Sequence, residues 1–211
     1  FETPSPSDGV PMIRPSEANR DEEDEPNADF RPQFPISLHE LEKARIVGNL
    51  VHQNLAAVVM GKSWNWPGRI KAELAANVYE FSSEEIDFIS NRAQEFARNA
   101  WGCPELQNLL AAAKERFAEL PLLHRRDEGV VHGVLDLLLI LENEAWIIEY
   151  TTASLAKISP QELIKDRGLD RQLNYYADAV AALYPMLKIH TAILFASTGD
   201  WLDLTMSRSD R

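Results

Sequence analysis

Two apolar runs separated by three polar residues restrict the fold most: "VVHGVLDLLLIL" at 130–141, "ENE" at 142–144 and "AWIIEYT" at 145–151. Runs of this length, rich in Val, Ile and Leu, read as buried strands, and so short a gap joins them antiparallel through a tight turn. "LPLLHRR" at 120–126, before the "DEG" turn at 127–129, adds a third strand to give an antiparallel meander. Strands apolar on both faces need a covering layer on each, and the rest of the chain can supply it.

Order begins at Ser37, where "SLHE" forms a capping box with Glu40 three residues on. Leu41, Ala44, Val47, Leu50, Val51, Leu55 and Val58 recur at helical spacing, and Gly61 is the expected stop. Further helices are expected from Pro67 to about Tyr79, from "SSEE" at 82–85 to about Trp101, and from Pro104 to near Glu119. After the meander and a polar loop comes a helix over about Leu169 to Leu183, broken by Pro185. "KIHTAILFA" is another buried strand and "WLDLTM" a short last one. The expected fold class is α/β: a central mixed sheet flanked by helices, with an N-terminal helical portion. No internal repeat is visible.

Residues 1–35 differ in kind. They hold seven of the twelve prolines, nine acids and three arginines, so −6 of the formal net charge of −12 lies there. Such a segment buries too little apolar surface to offset its ordering entropy and reads as an acidic, Pro-rich linker or surface-hugging arm. The domain proper is expected over 36–211. The chain starts at Phe1 without a methionine, as a piece of a longer protein would. One cysteine, Cys103, excludes an internal disulfide framework and a cysteine zinc cluster, and agrees with a reducing, cytoplasmic setting. No apolar run approaches the ~20 residues that span a bilayer, and no signal peptide is visible. The acidity weighs against a simple non-specific nucleic-acid binder, although acids gathered at a metal site would also lower the sum.

Several residues stand out chemically. Asp136 lies inside an apolar strand, where alternation places it with Val134 and Leu138, and it marks either a site or an edge. Glu149 sits on the next strand; a turn at 142–144 puts the two at matching heights. Neighbouring carboxylates repel unless a cation or shared proton separates them, and an oxygen-rich pair suits Mg²⁺ or Mn²⁺. The bland alternative turns one acid to solvent or pairs it with Arg125 or Arg126. His52 lies on the first helix; a lone helical histidine is usually structural, although imidazole also fits Mn²⁺. Gly48, one turn earlier, costs the helix roughly 1 kcal/mol against Ala, which suggests a close approach by a backbone or ligand. Gln172 and Tyr176 share a helix face, with Arg167 and Arg171 near; they form either a phosphate-contacting patch or an ordinary polar stripe. There is no Walker phosphate loop, no G-x-G-x-x-G and no G-x-S-x-G elbow.

In order, from about residue 37 to 204, these features resemble the RecB-like branch of the PD-(D/E)xK nucleases, which includes the C-terminal nuclease modules of RecB and AddA helicase–nucleases. "GNLVH" resembles that family's G-x-x-x-H, "GVLDLLL" its G-x-(I/L)-D strand, and "WIIEYTTA" its W-x-(I/L)-(D/E)-Y-K-T strand. "RQLNYYADAVAALYP" resembles its Q-x-x-x-Y helix, and "LPLLHR", with Glu119 before it, the strand preceding the aspartate. The resemblance implies a restriction-endonuclease-like core and metal-dependent hydrolysis of DNA phosphodiesters. It implies His52, Asp136 and Glu149 as ligands of Mg²⁺ or Mn²⁺, and Gln172, Tyr176 and Arg171 as DNA-contacting residues. It also implies a place in an ATP-dependent helicase–nuclease of DNA repair and recombination. The partners would be DNA, the helicase portion of the same polypeptide and a second helicase–nuclease subunit, with ATP bound outside this chain. One position departs: Thr151 stands where the family has its catalytic lysine. The domain has then lost activity and keeps a role that is structural, DNA-guiding or concerned with assembling subunits, or Lys157 or Lys165 replaces the lysine, or the threonine is an introduced substitution.

Overall fold

The computed structural model describes residues 12–13, 37–126, 129–155 and 158–205. Most of the 1–35 segment and Lys157 therefore lie outside the described residues. Helix α1 (Leu38–Val59) starts at Ser37, whose hydroxyl accepts the Glu40 N–H at 3.1 Å, and buries Ile46, Val47, Leu50, Val51, Leu55 and Val59. Helix α2 is Trp66–Ala75, and α3 (Ser83–Trp101) opens on a complete Ser82–Glu85 capping box. Helix α4 is Pro104–Ala112. The strands are β1 (Met12–Ile13), β2 (Glu115–Arg126), β3 (Gly129–Ile140), β4 (Glu144–Thr151), β5 (Lys188–Phe195) and β6 (Asp200–Asp203). Helices α5 (Pro160–Arg167) and α6 (Leu169–Leu183) connect β4 to β5.

Strands β2, β3 and β4 form the expected antiparallel meander; β5 runs parallel to β4, and β6 antiparallel to β5. The sheet is thus mixed and the class α/β, with helices packed on both faces as expected. One face packs on α1, α3 and α4 through Leu137, Leu139, Ile148, Tyr150 and Leu194. The other packs on α5 and α6 through Leu135, Leu138, Ile140, Ile147 and Ile193.

Four elements differ from expectation. Helix α2 stops at Ala75, not Tyr79, because the Asn77 side chain accepts the Tyr79 N–H at 2.9 Å and turns the chain. Helix α4 ends at Ala112 instead of near Glu119, and β2 begins at Glu115, upstream of "LPLLHRR". Residues 113–119 have a helix-like pattern, but β3 is apolar to Ile140 and needs a neighbour along that length: Glu115 pairs with Ile140 and Ala118 with Leu137. The Arg116 guanidinium then binds the Leu110 carbonyl at 2.8 Å, satisfying one of the open acceptors at the end of α4. Finally, α5 replaces part of the expected polar loop. Ser159 and Glu162 box its N-terminus, and Gly168, at φ 63°, ends it in the left-handed conformation.

Candidate metal centre

The centre lies where β3 and β4 part. Their pairing ends at Leu137–Ile148, one residue short of Asp136 and Glu149. One edge of β3 carries β2; the other carries β4 at 137–140 and β1 at 130–131, so the stretch between is unpaired on that edge among the described residues. Side chains fill the gap. Tyr150 N–H donates to Asp136 Oδ2 at 2.7 Å, and Asp136 N–H reaches Glu149 Oε1 at 3.5 Å. The Tyr176 hydroxyl donates to the Val134 carbonyl at 3.1 Å. Unpaired edge groups buried in this way are costly, and here the Asp136 N–H and the Val134 carbonyl acquire side-chain partners.

Strict alternation along β3 fails at this level. Leu135 and Leu138 face the same cluster, so Val134, Asp136 and Leu138 do not form the single face expected. The opposite strand is irregular too: the β2–β3 register runs from Ala118–Leu137 to Leu120–Leu135, and Glu119, between them, has φ 51°. A left-handed backbone is uncommon for a non-glycine residue and concentrates at functional sites.

His52 approaches from α1. Its Nδ1 lies 3.1 Å from Asp136 Oδ1 and 3.9 Å from Glu119 Oε1, and its ring meets Tyr150 edge-on at 5.7 Å. One ligand atom from each of His52, Glu119 and Asp136 lies within 4.8 Å of the others. The sequence places Glu119 only ahead of the strand, and the structure brings it into the site. A signal for it exists: in sequence Glu119 and Asp136 stand equally far from the midpoint between residues 127 and 128, and the β2–β3 register is centred there, so a regular ladder sets them opposite. The acids are not paired with Arg125; Asp136 faces His52 instead.

Glu149 is only 6% exposed. Burial pushes its carboxyl well above the ordinary range, and the charges of Asp136 and Glu119 push the same way. Burial raises Glu119 too, assisted by Asp136. For His52, burial disfavours the imidazolium, but the hydrogen bond and charge of Asp136 outweigh it and the pKa is raised. The compact set is one imidazole nitrogen and two carboxylates, His52, Glu119 and Asp136, a donor set suited to a divalent cation. Glu149, expected as a ligand, is not among the three and lies beside them, reached by the Asp136 N–H.

Gln172 Nε2 donates to Glu149 Oε2 at 3.2 Å and to the Tyr176 hydroxyl at 3.1 Å. Tyr176 is 2% exposed, so the pair acts inward, on Glu149 and on the β3 backbone. Gly133 belongs to this arrangement, since a Cβ there would stand 2.4 Å from the Tyr176 hydroxyl. Gly48 is different. A Cβ there would be 3.5 Å from Thr152 Oγ1, an ordinary contact, so the expected close approach is not found. Arg171 is exposed at the start of α6, its guanidinium lying over Gly168. Thr151 is buried, and its hydroxyl accepts the Ala153 N–H at 3.2 Å. Lys165 is exposed on α5, while Arg167 lines the same cavity as His52, Glu119 and Thr152.

Comparison with known families agrees with this geometry. A family model described as the PD-(D/E)XK nuclease superfamily matches residues 29–198. The chain is 29% identical over 191 residues to proteins of Desulfitobacterium hafniense, strains DSM 10664 / DCB-2 and Y51, each named as an ATP-dependent helicase/nuclease subunit. That similarity covers 80% of this chain and 13% of those proteins, so the chain spans a small part of their length. Among solved structures, a putative exonuclease from Eubacterium rectale is similar at 12% identity and a TM-score of 0.48, over 79% of this chain and 60% of that one. No helix among the described residues is long and apolar enough to cross a membrane.

Proposed function

The chain belongs to the PD-(D/E)XK nuclease superfamily, and we propose that it is a DNA-cleaving module in which His52, Glu119, Asp136 and Glu149 surround a Mg²⁺ or Mn²⁺ ion. The observation that carries this reading is the convergence of His52, Glu119 and Asp136 within 4.8 Å, with Glu149 buried beside them. A bound divalent cation supplies phosphate neutralisation and a water of lowered pKa. The protein supplies position. Asp136 is fixed by the Tyr150 N–H and His52, and Glu149 by Gln172, so the oxygens need little reordering when the ion arrives. Arg171, exposed at the start of α6, is the member of the α6 set open to a DNA backbone, while Gln172 is committed to Glu149 and Tyr176.

The name carried by the Desulfitobacterium relatives supports a setting in an ATP-dependent helicase–nuclease, and we propose that it acts in DNA repair and recombination. In that setting the helicase portion binds ATP, a second subunit completes the enzyme, and residues 1–35 are the linker or arm ahead of the nuclease-like domain at 36–211. Incubation of linear DNA with Mn²⁺ or Mg²⁺ tests the activity. Cleavage that disappears in Asp136→Ala and His52→Ala supports it; cleavage that persists in both refutes the site.

Thr151 favours a second reading, a nuclease-fold module that cleaves nothing and guides DNA or assembles subunits. A threonine hydroxyl carries no charge, and this one already serves a turn. Mn²⁺ binding measured by calorimetry, without cleavage under any divalent metal, selects the second reading.

A further inference from the structure

We propose that the cavity leading to this centre is the path of an unpaired DNA strand, and that Phe88, flanked by Lys43 and Arg92, stacks on one nucleobase of it. This rests on the reading that the module handles DNA. A cavity of about 1090 Å³ joins His52 and Glu119 to a stripe of α3 formed by Phe88, Arg92 and Phe96. Those three are spaced i, i+4 and i+8 and so share one helix face.

The charge of the wall runs against that of the molecule. Lys43, Arg45, Arg92 and Arg167 line the cavity against two acids, Glu40 and Glu119, in a chain of net charge −12. Three of these cations also pair with acids outside the lining: Lys43 with Glu85, Arg45 with Glu42 and Arg92 with Glu95. The Arg45–Glu42 and Arg92–Glu95 pairs lie at the surface and are worth little, so a phosphate can take over those cations at small cost. Lys43, only 11% exposed and held by Glu40 as well as Glu85, adds its charge to the wall without being released.

Phe88 is 52% exposed. A single exposed apolar residue is ordinary by itself; this one has the Lys43 ammonium 6.0 Å and the Arg92 guanidinium 5.9 Å from its ring centre. An aromatic face between cations, in a groove ending at a phosphodiester-handling centre, is the arrangement by which proteins hold single strands without reading sequence. A duplex cannot use it, because both faces of each inner base are already covered by its neighbours. Lys43 stands nine residues before His52 on α1, or about 13 Å at the helical rise. At ~3.4 Å for each stacked nucleotide, and more when the strand is drawn out, the stacked base lies roughly two to four nucleotides from the bond at the centre.

The test is fluorescence anisotropy of a labelled 12-nucleotide oligothymidylate and of a 12-base-pair duplex, with Ca²⁺ as the divalent ion, on the parent chain, Phe88→Ala and Phe88→Tyr. Phe88→Ala is expected to weaken single-strand binding roughly tenfold, about 1.4 kcal/mol, and duplex binding less than twofold. Phe88→Tyr, which keeps the ring, stays within about twofold of the parent. Irradiation of the parent chain with an oligonucleotide carrying 5-iododeoxyuridine is expected to crosslink the peptide that contains Phe88. Unchanged single-strand binding in Phe88→Ala overturns the subsite, as does an equal loss in Phe88→Tyr, a crosslink only elsewhere, or no single-strand binding by the parent. Failure of the nuclease reading is distinguishable. A chain that cleaves nothing yet loses single-strand binding in Phe88→Ala keeps the subsite as a guiding device. Asp136-dependent cleavage with a silent Phe88→Ala keeps the nuclease and removes the subsite.

Discussion

Thr151 is the residue on which the proposed cleavage turns. It alternates with Glu149 along β4 and so leans to the same side of the sheet. Its hydroxyl is occupied by the Ala153 N–H, and it is only 5% exposed. Nothing in that position can carry the positive charge that a developing phosphorane would need. Arg167 lines the cavity and offers a charge, but a guanidinium does not release its proton and cannot serve as a base. Restoring an ammonium by Thr151→Lys is therefore expected to raise Mn²⁺-dependent cleavage of linear DNA about 100-fold, the usual scale for one well-placed charge-stabilising group. The lost turn hydrogen bond costs about 1 kcal/mol of stability, readable by urea denaturation. A folded Thr151→Lys chain that cleaves no faster than the parent shows that this position no longer faces the reacting phosphate.

At the scale of elements, α6 and β3 are locked through one phenol. Tyr176 satisfies the Val134 carbonyl on the unpaired edge of β3 and receives Gln172, which in turn holds Glu149. Tyr176→Phe leaves that carbonyl without its partner and is expected to cost about 1–3 kcal/mol in denaturant unfolding. Gly133→Ala drives a methyl into the space the phenol fills, 2.4 Å from its oxygen. It is expected to cost about 1–3 kcal/mol and to weaken Mn²⁺ binding, because Gln172 follows Tyr176 away from Glu149. Tyr176→Phe should partly relieve Gly133→Ala, and a double-mutant cycle measures the coupling. Wherever local signals and packing agree, the elements are legible in the sequence: the N-cap at Ser37, of whose expected capping box only the Ser37 half forms, the complete box at Ser82, the ENE hairpin, and the run 188–196. Residues 113–119 mislead because their periodicity is helical, while the demand for a strand there comes from β3, which no local window contains. The pairing of Asp136 with Glu149 can be counted from the turn. His52 needs the packing of α1 on the sheet, and Glu119 needs the β2–β3 register together with a backbone conformation that sequence does not display.

For the whole molecule, the proposed metal site would make folding, protons and metal interdependent. Glu149, Glu119 and His52 all bind their protons more tightly in the folded chain than in the unfolded one. Such groups give their full stabilisation below the unfolded pKa and lose it as pH rises through the folded one. The loss starts near the ordinary glutamate value of about 4.3 and continues beyond the ordinary histidine value of about 6.5. The metal-free chain should therefore become less stable between about pH 5 and pH 8 on account of these groups. A divalent ion takes the places of those protons, so its affinity must rise over the same interval and its binding must release protons. At pH 8 and about one hundred times its dissociation constant, Mn²⁺ adds about 2.7 kcal/mol, a rise in Tm of roughly 5–10 °C for a domain of this size. At pH 5, with the same Mn²⁺ concentration, the rise should nearly vanish. Scanning calorimetry at the two pH values measures both. Asp136→Ala removes the carboxylate whose two oxygens meet His52 and the Tyr150 N–H, so the Mn²⁺-induced rise should vanish in that variant at pH 8 as well. A rise of equal size at both pH values would mean that the ion binds away from these protonated groups, in which case the cluster of His52, Glu119, Asp136 and Glu149 is not the metal site.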